Sequence, residues 1–372
     1  MDTENTLSRI SEVTERRKSR HLEVCLDRAE VETGDTLFSG VHFIHQALSE
    51  LRLEDIDTST EFLGHRVSLP LFISCMTGGT AAGARANREL ALAAQELRIP
   101  LGLGSISILF SDDDAVRDFH VKDLAPDVPV MANIGAVRLR DTPFAELEGL
   151  LDRLEVQALV VHLNPAQELL QDEGDRDFRG VLDAIRSFTD KSSYPVIVKE
   201  TGFGIRPNVA VRLFEAGAAY VDVAGSGGTN WAMVEALRGE SLQRPDIGSY
   251  LDWGIPTGLL LAAYARSPSL GRMRTASRVL SSGGIRNAGH LAKSMALGAA
   301  LAGMALPVIR AVAVGGRGAV VDLVKDLRRD LVAMMLLVGA KDLAALASTP
   351  LWFSPDFTAS LESFLRAEGA AL

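Results

Sequence analysis

The sequence predicts an α/β fold: a closed (β/α)8 TIM barrel with an N-terminal extension and a C-terminal helical tail. Three observations lead to it. From residue 70 onward a short apolar run, a glycine or polar break and an amphipathic stretch recur eight times. The apolar runs, such as Ala158-Leu159-Val160-Val161, are continuous rather than alternating, as in strands buried on both faces of a parallel sheet. No G-x-G-x-x-G lies between a strand and a helix near the start, where an open doubly wound sheet, the competing architecture, carries its dinucleotide turn. Eight βα units are the number that closes a barrel.

Taken in order, residues 1–68 form the extension, which carries the charged run from Glu15 to His21. Strands are expected at Leu71–Cys75, Pro100–Gly104, Pro129–Ala132, Ala158–Val161, Pro195–Val198, Tyr220–Val223, Arg278–Ser281 and Ala299–Met304. Helix-like segments between them include Ala84–Leu97, Phe144–Leu154, Phe178–Phe188, Asn208–Ala216 and Leu291–Leu297. The stretch from Gly225 to Pro256 exceeds an ordinary βα loop, which marks it as functional. The apolar, helix-forming stretch from Val320 to Leu346 is expected to pack against the barrel or a neighbouring copy. With no low-complexity linker, one domain is expected: extension 1–68, barrel 69–310 and C-terminal helices 311–372.

Composition narrows the class of function. Apolar content of 47% and charged content of 23% over 372 residues suit an ordinary globular enzyme. A formal net charge of −10 argues against nucleic-acid binding, which draws on excess Lys and Arg. No apolar run has the length of a membrane span, and the polar N-terminus lacks a signal peptide's apolar core. Cys25 and Cys75 have neither metal-type spacing nor a disulfide framework, so two reduced thiols in a cytoplasmic enzyme are expected.

The reactive groups of a barrel sit where its strands end. Here the apolar runs end in Met76-Thr77-Gly78-Gly79, Gly104-Ser105, Asn133-Ile134-Gly135, His162-Leu163-Asn164, Lys199-Glu200, Gly225 to Trp231, and Gly283-Gly284-Ile285-Arg286. The loops after strands seven and eight, Ser281 to Arg286 and Gly303 to Leu306, are where barrels hold a phosphate with backbone N–H groups and a helix N-terminus. A phosphate there and a rim of small and amide residues suit a flat phosphorylated cofactor, and FMN fits best. Lys199, costly at the end of an apolar strand, is read either as stabilising reduced flavin or as pairing with Glu200 or Asp222.

The segment from His162 to Glu168 puts an imidazole, two carboxamides and one carboxylate into seven residues. His162, Asn164 and Gln167 read as anion-binding groups. Glu168, with substrate phosphates, is a usual Mg²⁺ arrangement. Trp231 and Glu235, four apart, share a helix face beside the Gly-rich loop and are placed to reach a bound substrate. The run from Arg16 to His21 reads as a solvated face or as a flap over an anionic substrate.

Together these motifs resemble the type 2, FMN-dependent isopentenyl-diphosphate isomerases over nearly the whole chain. The resemblance is carried by Arg17-Lys18-x-x-His21, Met76 to Gly79, Ala132 to Gly135, His162 to Glu168, Val198-Lys199-Glu200, Gly227 to Trp231, Asp252 to Thr257 and Ser282 to Arg286. It implies FMN contacts from Thr77, Ser105, Asn133, Lys199, Thr229, Gly284, Arg286, Ala305 and Leu306, with Met76, Gly78 and Gly283 in the same loops. It implies that Arg17, Lys18 and His21 contact a diphosphate, that His162, Asn164 and Gln167 face the substrate, and that Glu168 holds Mg²⁺. Gln167, Trp231, Glu235 and Lys199 are the catalytic candidates.

NADPH would serve only to reduce the flavin, and a homotetramer or homo-octamer is implied. Three positions depart from the family. Ile106-Ser107 stands in place of the usual Gln-Arg, His290 in place of a common Asp, and Ala300 likewise. The alternatives that follow are a divergent member acting on a different substrate and a flavin-dependent 2-hydroxy-acid oxidase.

Overall fold

Eight parallel strands close on themselves, each paired to the next in sequence and the last to the first. They are Leu71–Ile73, Leu101–Ser105, Val130–Gly135, Ala158–Leu163, Val196–Glu200, Tyr220–Asp222, Val279–Ser281 and Leu301–Met304. The structure is a computed structural model and describes residues 19–76, 78–171, 174–238, 247–273 and 277–369. All eight expected strands are present, and closure comes from Leu301–Met304 pairing with Leu71–Ile73.

Three strands run two or three residues further than their apolar runs. The expected end at Val161 becomes Leu163, at Val198 becomes Glu200, and at Ala132 becomes Gly135. The reason is the ladder itself: Gly135 pairs with His162, His162 with Lys199, and Lys199 with Asp222. Backbone pairing is indifferent to the polarity of the side chain it carries, so strand continues where hydrophobicity stops. The polar groups therefore stand on rigid strand rather than on loop.

Helices cover the outside. Thr80 caps Ala81–Leu97 by accepting from the Gly83 N–H, which begins that helix three residues before the expected Ala84. The segment expected at Phe178–Phe188 is Val181–Lys191, because Gly180 in the left-handed region (φ +74°) turns the chain just before it. Two short helices, Ala136–Asp141 and Pro165–Leu170, follow the third and fourth strands directly. The described part of the long stretch after Gly225 holds helices Trp231–Arg238 and Gly248–Leu251. The C-terminal helix spans Leu306–Leu337, kinks at Gly315 and Gly316, and packs on Ala81–Leu97.

The hairpin Thr60–Phe62 with His65–Val67 puts Phe62 and Val67 against Phe72, Met131, Ile197 and Leu280 inside the barrel. That end is filled with apolar side chains, which leaves the opposite rim for chemistry. The extension and the C-terminal segment join in a second small sheet, Val41–Phe43 antiparallel to Leu351–Phe353, with His42 stacked on Trp352 at 4.0 Å between ring centres. Among the described residues no helix is long and apolar enough to cross a membrane.

Candidate active site

The strand ends converge on a cavity of about 520 Å³. Of the sequence candidates, Met76, Gly78, Ser105, Asn133, His162, Asn164, Gln167, Glu168, Lys199, Thr229, Trp231, Gly283, Gly284, Arg286, Ala305, Leu306 and His21 all line it. Arg17, Lys18 and Thr77 lie outside the described residues.

One side of the cavity is an anion cradle. Gly283 and Gly284 adopt left-handed φ of +93° and +75°, conformations that only glycine takes without strain. Asp222, which the sequence offers only as a possible partner for Lys199, holds this loop down. Its Oδ1 accepts from the Ser282 N–H at 2.9 Å and its Oδ2 from the Ser282 hydroxyl at 2.8 Å. Thr257 donates to the Gly283 carbonyl at 2.7 Å. Arg286 is aimed by Glu32, whose Oε1 takes its Nε–H at 2.5 Å, while Nη2 of Arg286 is buried without a hydrogen-bond partner. Next to it, helix Leu306–Leu337 starts at Ala305 with no side-chain cap. An unpaired guanidinium nitrogen beside an uncapped helix start is a site for a phosphate.

The described part of the extension is part of this cradle. The Thr33 N–H donates to the Gly228 carbonyl, and a Cβ on Gly284 would lie 2.3 Å from Cγ2 of Thr36. His290, on the next helix, stacks on Phe38 at 5.1 Å, and its Nδ1 lies 3.0 Å from the Gly284 carbonyl. Burial lowers its pKa, which keeps the ring neutral and able to donate to that carbonyl. His290 is thus an anchor behind the loop.

Lys199 is 8% exposed and donates to the Glu200 main-chain carbonyl at 2.6 Å. It makes no salt bridge with Glu200 or Asp222. The Glu200 carboxylate is turned instead into the backbone N–H groups of Thr201, Gly202, Phe203 and Gly204. Cys75 lines the cavity near Lys199, and burial pushes its thiol up to about 12, so it stands there as a neutral group.

The opposite side is a chain of amides and carboxylates. Asn133 Oδ1 lies 3.0 Å from His162 Nδ1, which fixes the ring. Asn164 Nδ2 donates to Glu168 Oε1 at 2.7 Å and to Gln167 Oε1 at 3.2 Å. Gln167 in turn donates to Glu235 Oε1 at 3.1 Å. The same oxygen accepts from Gln171 at 2.9 Å and lies 2.9 Å from His21 Nε2, while Oε2 is 3.0 Å from Arg238 Nη1. Glu235 is therefore not at the cavity wall as its spacing from Trp231 suggested. The turn that aims Trp231 at the cavity drives Glu235 behind Gln167, where it is fully buried. Burial acts against its charge. The His21 hydrogen bond and charge, the Gln167 amide and Arg238 outweigh it and hold the carboxyl below its ordinary range. Neither Gln171 nor Arg238 is marked in the sequence, since their role depends on which way two short helices face.

The sequence profile of the FMN-dependent dehydrogenases matches residues 23–113 and 160–353. The isopentenyl-diphosphate delta-isomerase of Borreliella afzelii (strain PKo) is 38% identical over 353 residues, covering 95% of this chain and 97% of the relative. That of Pyrococcus abyssi (strain GE5 / Orsay) is 38% identical over 354 residues, covering 92% and 93%.

The chain belongs to the FMN-dependent isopentenyl-diphosphate delta-isomerase family.

Solved structures with the same barrel include a flavocytochrome b2 variant with pyruvate bound (TM-score 0.66, 18% identity, 92% of this chain and 84% of that one). A mandelate oxidase variant with an FMN adduct is similar too (TM-score 0.58, 18% identity, 87% and 94%). At that identity they speak for the fold. At the pair Ile106-Ser107, Ile106 is sealed in the core, and Ser107 reaches the cavity, its hydroxyl 2.9 Å from that of Ser105.

Proposed function

We propose that this chain interconverts isopentenyl diphosphate and dimethylallyl diphosphate, with reduced FMN and Mg²⁺. The observation that carries the reading is one cavity with two unlike walls: a phosphate cradle facing an amide and carboxylate chain that ends in a buried, ionised Glu235. Near-full-length likeness to named isomerases supports it.

The cradle suits the phosphate of FMN, through Arg286 Nη2, the loop of Gly283 and Gly284 and the helix start at Ala305 and Leu306. When bound, FMN supplies the proton exchange and charge stabilisation that an isolated alkene cannot draw from carboxylates alone. Lys199, which makes no salt bridge among the described residues, supplies a positive charge at the cavity wall. The conversion needs one proton added to the terminal carbon and one removed two carbons away.

Gln167 faces the substrate and is held by Glu235, so it orients the reacting end and couples it to a buried carboxylate. His21 closes over this group from the extension, with its ring edge-on to Trp231 at 5.4 Å. Trp231 offers a π face to positive charge developing on the substrate. Glu168, whose Oε1 and Oε2 face Asn164 and the Asp175 N–H, would take Mg²⁺ together with the diphosphate oxygens. NADPH serves only to reduce the flavin, and the protein assembles as a homotetramer or homo-octamer in the cytoplasm. The unpaired Cys25 and Cys75 agree with a reducing compartment.

Anaerobic incubation with isopentenyl diphosphate, FMN, Mg²⁺ and a reductant should give dimethylallyl diphosphate by product analysis. A folded, flavin-loaded sample that gives none would overturn the reading. The 2-hydroxy-acid oxidase alternative wants a histidine base at the cavity after the seventh strand, and His290 faces Phe38 and Gly284 instead.

A further inference from the structure

We infer that Arg138 is the guanidinium that binds the substrate diphosphate on the wall where Ser107 stands, an assignment that rests on the isomerase reading above. Arg138 lies in helix Ala136–Asp141, directly after the third barrel strand, and its side chain lines the cavity. Its guanidinium carbon sits 4.8 Å from the centre of the Phe110 ring. Phe110 and Ser107 belong to the same short 3₁₀ segment, Ile106–Phe110. In a 3₁₀ turn residues three apart eclipse one another, so Phe110 holds the guanidinium over the face that carries the Ser107 hydroxyl.

A planar cation stacked on an aromatic ring keeps its edge N–H groups free to bind in its own plane. Among the described residues the Arg138 side chain has neither a hydrogen bond nor a salt bridge. The nearest acid on its helix, Asp141, is already taken by Arg140 through two bonds of 2.6 and 2.9 Å. Asp141 is near enough to feel the Arg138 charge, but among the described residues it makes no direct pair with it. The cavity thus contains a preoriented guanidinium with open N–H groups beside two hydroxyls, those of Ser105 and Ser107. Paired phosphate oxygens are the ligand that such a fork fits. The arrangement also explains how a serine can stand at position 107: the charge reaches the same place from the neighbouring strand's helix.

The experiment compares the flavin-loaded parent with Arg138→Gln. Turnover by the parent decides the isomerase reading separately. Given that turnover, Arg138→Gln should raise KM for isopentenyl diphosphate roughly tenfold to a hundredfold with kcat within about twofold, because it removes binding common to ground and transition states. Calorimetric affinity for inorganic pyrophosphate should fall by a similar factor. Adding Ser107→Arg to Arg138→Gln should recover most of the loss, which no structural role of Arg138 would allow. Unchanged KM and pyrophosphate affinity would overturn the inference. So would a fall in kcat at constant KM, or loss of bound flavin, either of which would give Arg138 another task.

Discussion

Glu235 is the side chain on which most of the site depends. One carboxylate oxygen draws in Gln167 and Gln171 from one side and His21 from the other, and its partner oxygen faces Arg238. Removing one member of a buried charge pair typically costs about 3–5 kcal/mol, mostly because the other charge is stranded. Glu235→Gln should therefore destabilise the protein and slow turnover by about a hundredfold, the low end for a proton-handling group. The sign of its pH effect follows from its depressed pKa. Its stabilising contribution is complete above the unfolded carboxyl value of about 4.3 and is lost as pH falls through the lower folded value. Urea midpoints between neutral pH and about pH 3 should fall less steeply for E235Q than for the parent, and parallel acid limbs would count against this account.

At the level of elements, the cradle depends on two loops that touch backbone to backbone. A Cβ on Gly228 would lie 2.4 Å from the Gly284 amide nitrogen and 3.4 Å from Arg286 Nη2. Gly228→Ala must push the loops apart at the point where the phosphate is expected. Fluorescence titration should show FMN affinity at least roughly tenfold weaker, with little change in the far-UV spectrum; parent-like affinity would remove the cradle from its assigned place. These loops were readable because Gly283, Gly284 and Arg286 follow an apolar strand. The barrel was readable for a related reason, since runs such as Val130–Met131 and Ala158 to Val161 are buried on both faces and need no alternation.

What was not readable depends on contacts between segments far apart. Nothing local in Glu32 or Thr36 marks them as walls of the cradle. Asp222 reads as a possible partner of Lys199 until the fold puts Ser282 beside it. The helices Ala136–Asp141 and Pro165–Leu170 are too short to show a period, and Arg138 and Gln171 gain their meaning only from the way those turns face.

For the whole molecule, the filled lower end and the open upper rim leave the cavity among the strand ends as a large gap beside the barrel core. Binding there should be linked to global stability. A ligand that binds only the native state adds about 2.7 kcal/mol at a hundredfold excess over its Kd. Calorimetric melting of the flavin-free protein should thus rise with the logarithm of added FMN, and the G228A variant should show the rise only at higher concentration. A melting point insensitive to FMN would contradict the linkage.

The small sheet of Val41–Phe43 with Leu351–Phe353 has a consequence for how the chain is made. A strand near residue 41 emerges from the ribosome early and finds no partner until residue 351 has followed it. Loop closure over such a separation is slow and entropically unfavourable, and domains whose contacts are distant in sequence fold late. The segment carrying His21, Glu32 and Thr36 is attached to that strand, so the wall it gives to the cavity is completed only once Leu351–Phe353 has been made. A nascent barrel can close while its active site is still open, and chemistry waits for Leu351–Phe353, well after the last barrel strand.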